Sequence, residues 1–594
     1  MIKKMTKYSF VVFHKECDNF LNSLQTLGLV DVTRCNKAVD ETSKAQFDKI
    51  AAYGNIIKIL QGITEQSSHP VDIPQEQLFT EAETALARKA ELAKKLSVAT
   101  ANYKAAAPWG EIEQSDLEKI AKMGYVPHFY ICSEKGYKEE WEENFAIYKL
   151  GISGDKVYFV VLGNREESLA FPLAETQLTP KSASEYSAEI DSLNRAIEEN
   201  NNRLCAIAEK AELLVVQKAL LEDELDKYLA TAQAGKEAED SIVLFEGFAP
   251  TENDAQIEKL IEKESVYYIK EAATEEDNPP IKLKNNWFSR LYEPIVELYM
   301  LPKYGETDLT PYLAPFYMLF FGLCLGDMGY GLVMLLAGLY VNFKIPSYKG
   351  YGQLIAWLGV GSIIMPALNG TFFGAKIYEL FSFPENISRH FFTDMKMFWF
   401  AIIFGIVQIV FARILNAILA MRAKGFLAGL HNIGWAVLIV WLSLLYSSSQ
   451  VPFDLPVYVN YIGYAGLALI LLFTSDNKNI FIKLFKGVSA LYDITGVFGD
   501  MLSYIRLFGL GTAGGILGMV VNSVAMQLGD VPYLGWLFAG IMLILGHTMV
   551  LLLSALGAFV HPMRLTFVEF YKNTGFEGGG RAYNPLKSRV KGNK

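Results

Sequence analysis

Apolar and polar positions divide the 594 residues into two unlike halves. Up to about residue 290, single apolar positions recur among Glu, Lys and Ala; from about 310 to 575, Leu, Ile, Phe, Val and Gly run together. In the first half, alternation predicts a strand over Lys7 to Phe13, then a helix over Cys17 to Leu27 and a strand over Val30 to Arg34. Two long stretches then keep a four-three spacing. Leu78, Ala82, Ala85, Leu92, Leu96, Ala99 and Tyr103 make the first, broken at Lys89. Tyr186, Ile190, Leu193, Ile197, Leu204, Ile207, Ala211, Leu214, Leu221, Leu225 and Tyr228 make the second, interrupted at Asn200 and Lys218. Sustained heptads predict coiled coil. Strand patterns lie between the two seams at Val126 to Cys132, Phe145 to Leu150 and Lys156 to Leu162. Strands at Ser241 to Phe248 and Val266 to Ile269 flank a helix at about 253–263. The expected architecture of 1–290 is a dumbbell. Its proximal α/β lobe is 1–40 with 240–275, its antiparallel coiled coil 42–107 with 180–235, and its distal α/β lobe 108–175. Fifty residues per helix reach about 75 Å, which suits a strut; a generic coiled-coil adaptor fits the same pattern.

The second half reads as membrane-embedded. Apolar stretches fall at about 312–343, 351–378, 395–420, 427–447, 457–474, 484–527 and 533–571. Lys344 and Lys349 follow the first stretch, Arg422 and Lys424 the third, and Lys478, Lys483 and Lys486 the fifth; a basic tail closes the chain. The segments 448–456 and 528–532 hold no Lys or Arg. The positive-inside rule makes the basic connections cytoplasmic. Met1 to Phe13 shows no secretory pattern, so residues 1–290 are expected on the same side. Both flanks of the first stretch then lie inside, which one span cannot achieve. The stretch exceeds the roughly twenty residues a span needs and carries Gly326-Asp327-Met328-Gly329 at its centre. It therefore reads as a hairpin with Asp327 near the turn. The expected membrane domain, 291–594, has eight helices with both termini cytoplasmic. Its last two stretches are about forty residues each, and a helix of that length runs about 60 Å. Such helices must tilt strongly, and a tilted pair can embrace a curved neighbour.

Composition removes several classes. The net charge of −10 argues against a nucleic-acid partner. The five cysteines are scattered without a CxxC pair, and no GxxxxGK[ST] pattern occurs. His547 and His561 do not make a metal site, and no cofactor is expected.

The residues that stand out are two arginines in the last two apolar stretches, Arg506 in SYIRLFGLG and Arg564 in HPMRLTFVEFY. A mid-bilayer arginine costs about 2.5–3.5 kcal/mol on insertion scales, and about 10–17 in simulations of isolated helices. The plainer alternatives are pairing of Arg506 with Asp500 and snorkelling of Arg564 to the cytoplasmic end. Gly509, Gly511, Ala513, Gly514, Gly515 and Gly518 follow Arg506 and give a smooth face, of which Gly509, Ala513, Gly514 and Gly518 are expected to meet a moving partner. Packing within the chain is the commoner use of such a face. An arginine keeps its charge at any physiological pH, so it can hold a passing carboxylate ionised. Candidates for lining an ion path include Asp327, Gln408, Asp500, Ser503, Ser554, His561 and Glu569, with Glu569 the best entry carboxylate. Asn416, Asp493, Asn522, Gln527 and His547 belong to the same wider set.

Five segments resemble one known family. LFFGLCLGDMGYGL (319–332), SYIRLFGLG (503–511) and HPMRLTFVEFY (561–571) are similar to signatures of the V/A-type ATPase membrane stator, called subunit I in prokaryotes and subunit a in eukaryotes. EGFAP (246–250) and NPPIKLKNNWF (278–288) are similar to its lead-in to the membrane. The resemblance implies a stator with two offset ion half-channels against a ring of proteolipids, separated by arginines at the positions of Arg506 and Arg564. It implies peripheral-stalk partners of the E/G type on the soluble half and a central-stalk cap of the d/C type. It also implies H⁺ or Na⁺ translocation with no catalytic site in this chain. Two positions depart from the eukaryotic pattern: Gly514 stands where a His is expected and Ser554 where a Glu is expected. The absence of long insertions points to a prokaryotic plasma membrane. A secondary transporter and a passive scaffold are the competing readings; no repeat between halves supports the first.

Overall fold

The computed structural model describes residues 1–34, 37–63, 74–112, 114–164, 171–178, 180–237, 241–264, 266–380, 390–450, 456–475 and 479–590. The chain forms two compact units: one of residues 1–12, 29–32 and 246–585, and one of 13–28, 33–245 and 586–594.

In the second unit, a helix over Cys17–Leu27 buries Phe20, Leu21 and Leu24 on one face. It stops at Gly28, whose φ of 66° is cheap only without a Cβ. The helix Glu41–Gln61 opens on a capping box, with Asp40 accepting the Ser43 N–H at 2.7 Å and Ser43 Oγ accepting the Asp40 N–H at 3.1 Å. A second box, Ser182 with Glu185, opens Ala183–Glu209. The helix Leu78–Ala106 packs antiparallel on Ala183–Glu209, because Glu81 meets Arg203 while Ala85 meets Asn200. Glu41–Gln61 packs on Ala211–Gln233. Two expectations change here. The outward path contains a second helix, Glu41–Gln61, which heptad spacing did not locate. The return path is broken at Lys210 and is not continuous. Leu78, Ala82, Ala85, Leu92 and Ala99 are buried as the seam requires, but Tyr103 is exposed. Asn200, the seam's apparent flaw, is buried and donates to the Ala85 carbonyl at 2.9 Å. The three strands expected between the seams form one antiparallel sheet, in the order 125–133, 156–164, 147–153.

The first unit holds the other expected strands. Residues 5–12 pair antiparallel with Tyr267–Ala272, from Thr6 opposite Ala272 to Val11 opposite Tyr267, and Asp31–Val32 pairs with Phe248 and Gly247. Tyr8, Phe10 and Val12 point to the buried face, the period of two that the sequence shows. Asp254 opens the helix Asp254–Glu264 and accepts from the Tyr8 hydroxyl at 2.8 Å.

The apolar half of this unit folds into helices α1 (Thr310–Leu325), α2 (Met328–Lys344), α3 (Lys349–Ala367), α4 (Asp394–Lys424), α5 (Leu430–Gln450), α6 (Val457–Phe473), α7 (Ile505–Gly529) and α8 (Gly535–Arg564). Among the described residues, four helical segments are long and apolar enough to cross a membrane: 394–424, 426–448, 481–529 and 535–574. Helices α1, α2 and α6 are apolar but shorter. The turn between α1 and α2 falls where the sequence placed it. Gly326 takes φ 70°, its missing Cβ directed at the Gly511 backbone, and Asp327 caps α2. The second apolar stretch is not helical to its end. After Ala367 the chain makes a small hairpin, Thr371–Phe372 against Ala375–Lys376. The sixth stretch is also not one rod. It comprises Ile480–Leu491, Ile494–Ser503 and α7, with breaks at Tyr492–Asp493 and at Tyr504. After α8, six residues with π-helical pairing, Leu565–Phe570, lead to Tyr571–Thr574. Buried aromatic residues, among them Tyr292, Tyr317, Phe320, Phe321 and Tyr504, join these helices in one core.

Candidate functional site

The break at Tyr504 fixes the first arginine. Tyr504 is fully buried, and its hydroxyl donates to Gln408 Oε1 of α4 at 2.6 Å. Its ring packs on Phe320 of α1. Arg506 is the second residue of the helix that restarts there. It is half-buried, and its Nη1 is buried with no hydrogen-bond partner. The pairing with Asp500 that the sequence left open does not occur. Asp500 accepts from Lys572 Nζ at 3.2 Å on both oxygens and from Asn573 Nδ2 at 3.1 Å. Its charge is met by Lys572, not by Arg506.

Arg564 ends α8, two residues after Pro562 removes a backbone donor. Its side chain is exposed. The π-helical residues that follow insert one extra residue per turn and turn Glu569 inward. Glu569 is 2 % exposed, and its Oε2 has no hydrogen-bond partner. Ser503 lies beside it, and the charge of Arg506 reaches it. His561 lies within electrostatic reach of both Arg506 and Arg564. The fold thus gathers Arg506, Arg564, His561, Glu569, Ser503 and Asp500 about two adjoining helix breaks, with Gln408 behind Tyr504. Irregular backbone at membrane depth is tolerated only where protein or a watery cavity covers it.

Asp327 and Ser554, both expected on an ion path, lie outside this cluster. Asp327 is fully buried and spends its carboxylate on four backbone N–H groups: Gly329 (2.8 Å), Tyr330 (3.2 Å), Phe373 (2.8 Å) and Gly374 (2.7 Å). It ties the 371–376 hairpin to the α1–α2 turn. Ser554 faces Gly514, where an added Cβ would lie 3.1 Å from its hydroxyl. The two departures from the eukaryotic pattern therefore touch each other.

The small-residue face of α7 also divides. Gly509 is exposed with open space beyond it, and Ala513 is exposed. Gly514 and Gly518, expected to meet a partner, are buried against this chain's own residues. A Cβ on Gly518 would lie 2.9 Å from Gly374 and 3.2 Å from Tyr330 Oη. The helical repeat accounts for this: positions 514 and 518 share a face one side of 509 and 513.

Sequence reasoning missed Arg413, Lys572 and Asn573 as parts of this region. Arg413 lies over the Trp435 ring at 5.5 Å, within electrostatic reach of Asp493 and Asp500. The signal was present, a lone arginine inside the apolar third stretch. Lys572 reads from sequence as a flanking base, and only the fold brings it to Asp500. His547 joins Tyr330 (2.8 Å) to Asn522 (3.0 Å), a packing network rather than a ligand set.

Buried polar and charged groups at breaks in long apolar helices mark a protein with functional groups inside its apolar half. The comparisons with known proteins place it further. The V-type ATPase 116kDa subunit family matches residues 167–387. The chain is 26 % identical to the V-type ATP synthase subunit I of Borreliella burgdorferi, over the whole of both chains. It is 27 % identical to the A-type ATP synthase subunit I of Methanocaldococcus jannaschii, over 81 % of this chain and 73 % of that one. A crystal structure of the cytoplasmic N-terminal domain of a subunit I, homolog of subunit a of V-ATPase, aligns to 45 % of this chain and 100 % of that one at 14 % identity, with a TM-score of 0.23. The chain is thus similar along its length to subunit I of V-type and A-type ATP synthases.

Proposed function

We propose that this chain is the stator against which a proteolipid ring turns, and that Arg506 is the barrier between its two ion half-channels. The observation that carries this is the buried, unpartnered Nη1 of Arg506, on a helix whose exposed side at Gly509 and Ala513 has no bulk. With Asp500 already paired to Lys572, that charge remains for an acid from outside the chain. A carboxylate carried past it stays ionised and releases its ion, and then leaves toward the other half-channel. Arg564 acts as partner to Arg506 from the facing helix. Glu569, with Ser503 beside it, is the entry carboxylate, and His561 and Ser554 line the approach. Gly509 and Ala513 form the sliding face.

Residues 291–594 form the membrane domain in this reading, with α1 to α8 as eight spans. Residues 1–290 form a cytoplasmic dumbbell that holds peripheral stalks of the E/G type and meets a d/C-type central-stalk cap. The membrane is the plasma membrane of a prokaryote. The ion is H⁺ or Na⁺, and the rotor's own site chooses between them.

The test is Arg506→Ala in the reconstituted complex. ATP-driven ion uptake is expected to vanish while the complex assembles normally. Undiminished uptake defeats the barrier role. Failed assembly favours a scaffold in which the arginine is structural.

A further inference from the structure

The cytoplasmic end of α4 borders a cleft of about 720 Å³ that the ion path does not use. That volume is in the range of small-ligand sites, roughly 300–1,000 Å³. One wall is apolar and follows the helix: Phe411, Ile414, Leu415, Ile418 and Leu419, with Tyr312 opposite. Ile414 and Ile418 are exposed on this stripe, two turns of a segment long and apolar enough to span a membrane. The polar part of the lining includes Lys4 and Arg422, both exposed to solvent.

The charges lining the cleft cancel only in part. Glu306 accepts the backbone N–H groups of Lys303 (2.7 Å) and Glu577 (2.8 Å). Asp308 accepts the Thr310 N–H at 2.9 Å, the Thr310 hydroxyl at 2.6 Å and the Met1 amine at 3.0 Å. Lys3 is paired with Glu252 at 2.7 Å. Among the described residues, Lys4 and Arg422 form no ion pair, and both are exposed. The result is a hydrocarbon-lined slot along a membrane helix with two free cations in its polar lining.

We propose that this cleft binds an anionic glycerophospholipid, its phosphate between Lys4 and Arg422 and one acyl chain along Ile414 and Ile418. The apolar wall distinguishes a lipid from a free phosphate, which would gain nothing from it. With Asp308 matched by the Met1 amine and Lys3 by Glu252, Lys4 and Arg422 outnumber Glu306 and leave the cleft net positive, which distinguishes an anionic headgroup from a zwitterionic one. The lipid would tie the first residues of the soluble half to the membrane surface.

The test uses the full-length chain in detergent. Binding of phosphatidylglycerol, of phosphatidylcholine with the same acyl chains, and of inorganic phosphate is measured by native mass spectrometry. The wild type is expected to prefer phosphatidylglycerol, with phosphate unable to displace it. Lys4→Gln/Arg422→Gln is expected to weaken phosphatidylglycerol by about 30-fold, roughly fivefold per basic group, leaving phosphatidylcholine unchanged. Ile414→Trp, which fills the slot and spares both cations, is expected to weaken phosphatidylglycerol as well. Equal binding of the two lipids by the wild type overturns the proposal. So does unchanged phosphatidylglycerol binding in the double variant. Displacement by inorganic phosphate, with Ile414→Trp silent, shows a free-anion site and also overturns it. If the double variant does not fold, the Ile414→Trp and phosphate arms decide.

Discussion

At the scale of single residues, what matters is whether a polar or small group is already used inside the chain. Gly514 and Gly509 test this as a pair. Gly514→Leu must displace Ser554 and the Leu325 carbonyl, 3.1 and 3.2 Å from its Cβ, at an overpacking cost of about 1–3 kcal/mol. Its unfolding midpoint is expected to fall. Gly509→Leu meets nothing and exchanges Gly for a better helix former, so its midpoint should hold or rise. ATP-driven uptake by the assembled complex should nevertheless collapse if Gly509 lies on the proposed sliding face, which the new side chain would obstruct. A Gly509→Leu complex that pumps normally removes Gly509 from that face. Asp327 is the opposite case. Asp327→Asn puts an amide donor or a lone carbonyl where two oxygens serve four N–H groups, and about 2–3 kcal/mol should be lost. Thermal unfolding in detergent should register this while uptake per assembled complex is unchanged; lost uptake at full stability would return Asp327 to the ion path.

Discontinuity is the theme at the scale of elements. The last two apolar stretches are each long enough to project far beyond a bilayer, and each is interrupted beside its arginine. Tyr504 separates two helices so that Arg506 lies in the first turn of the second, and Leu565–Phe570 widens the turn after Arg564. A π-helical turn is a one-residue excess held by its surroundings. Deleting Val568, which is exposed, should restore α pairing and swing Glu569 by about 100° from its place beside Ser503. The expected outcome is a folded, assembling chain with ATP-driven uptake reduced at least tenfold. Uptake near the wild-type level would mean that the position of Glu569 is immaterial.

At the scale of the molecule, the two ends of the first unit's sequence meet. Gly580 bridges Leu301, and Ala582 bridges Ile281. Tyr583 donates to the Leu29 carbonyl, and the Asn584 N–H to Asp31 Oδ2 at 3.0 Å. Arg581 approaches the same carboxylate at 3.6 Å. Asp31 is 2 % exposed, so removing these groups takes a hydrogen bond and a nearby cation from a buried carboxylate. Truncation after Phe576 should therefore loosen the strands at 31–32 and 246–250, far away in sequence. Limited proteolysis should cut the truncated chain near residues 28–34, where the intact chain resists. Equal resistance would show that the tail contributes nothing to the sheet.

Local pattern was enough for much of this. Period-two alternation placed Tyr8, Phe10 and Val12, heptads placed Leu78 to Ala99, and the basic flanks of the first apolar stretch demanded the hairpin at Asp327. Each signal is local because a face must be buried or a charge must stay in water. The two arginines were legible for the same reason: an unexplained charge in an apolar run is costly wherever the chain folds. What local pattern does not encode is which partner satisfies a group. Asn200 reads as a flaw until Ala85 lies opposite, and Asp500 reads as the mate of Arg506 until Lys572, 72 residues on, takes it. The division of the α7 glycines into covered and open sides, and the π-helical turn that buries Glu569, follow from packing between helices distant in sequence. Composition and periodicity determined the halves, the helices and the arginines. Tertiary structure decided which charge is left unpaired, because pairing depends on distance in space.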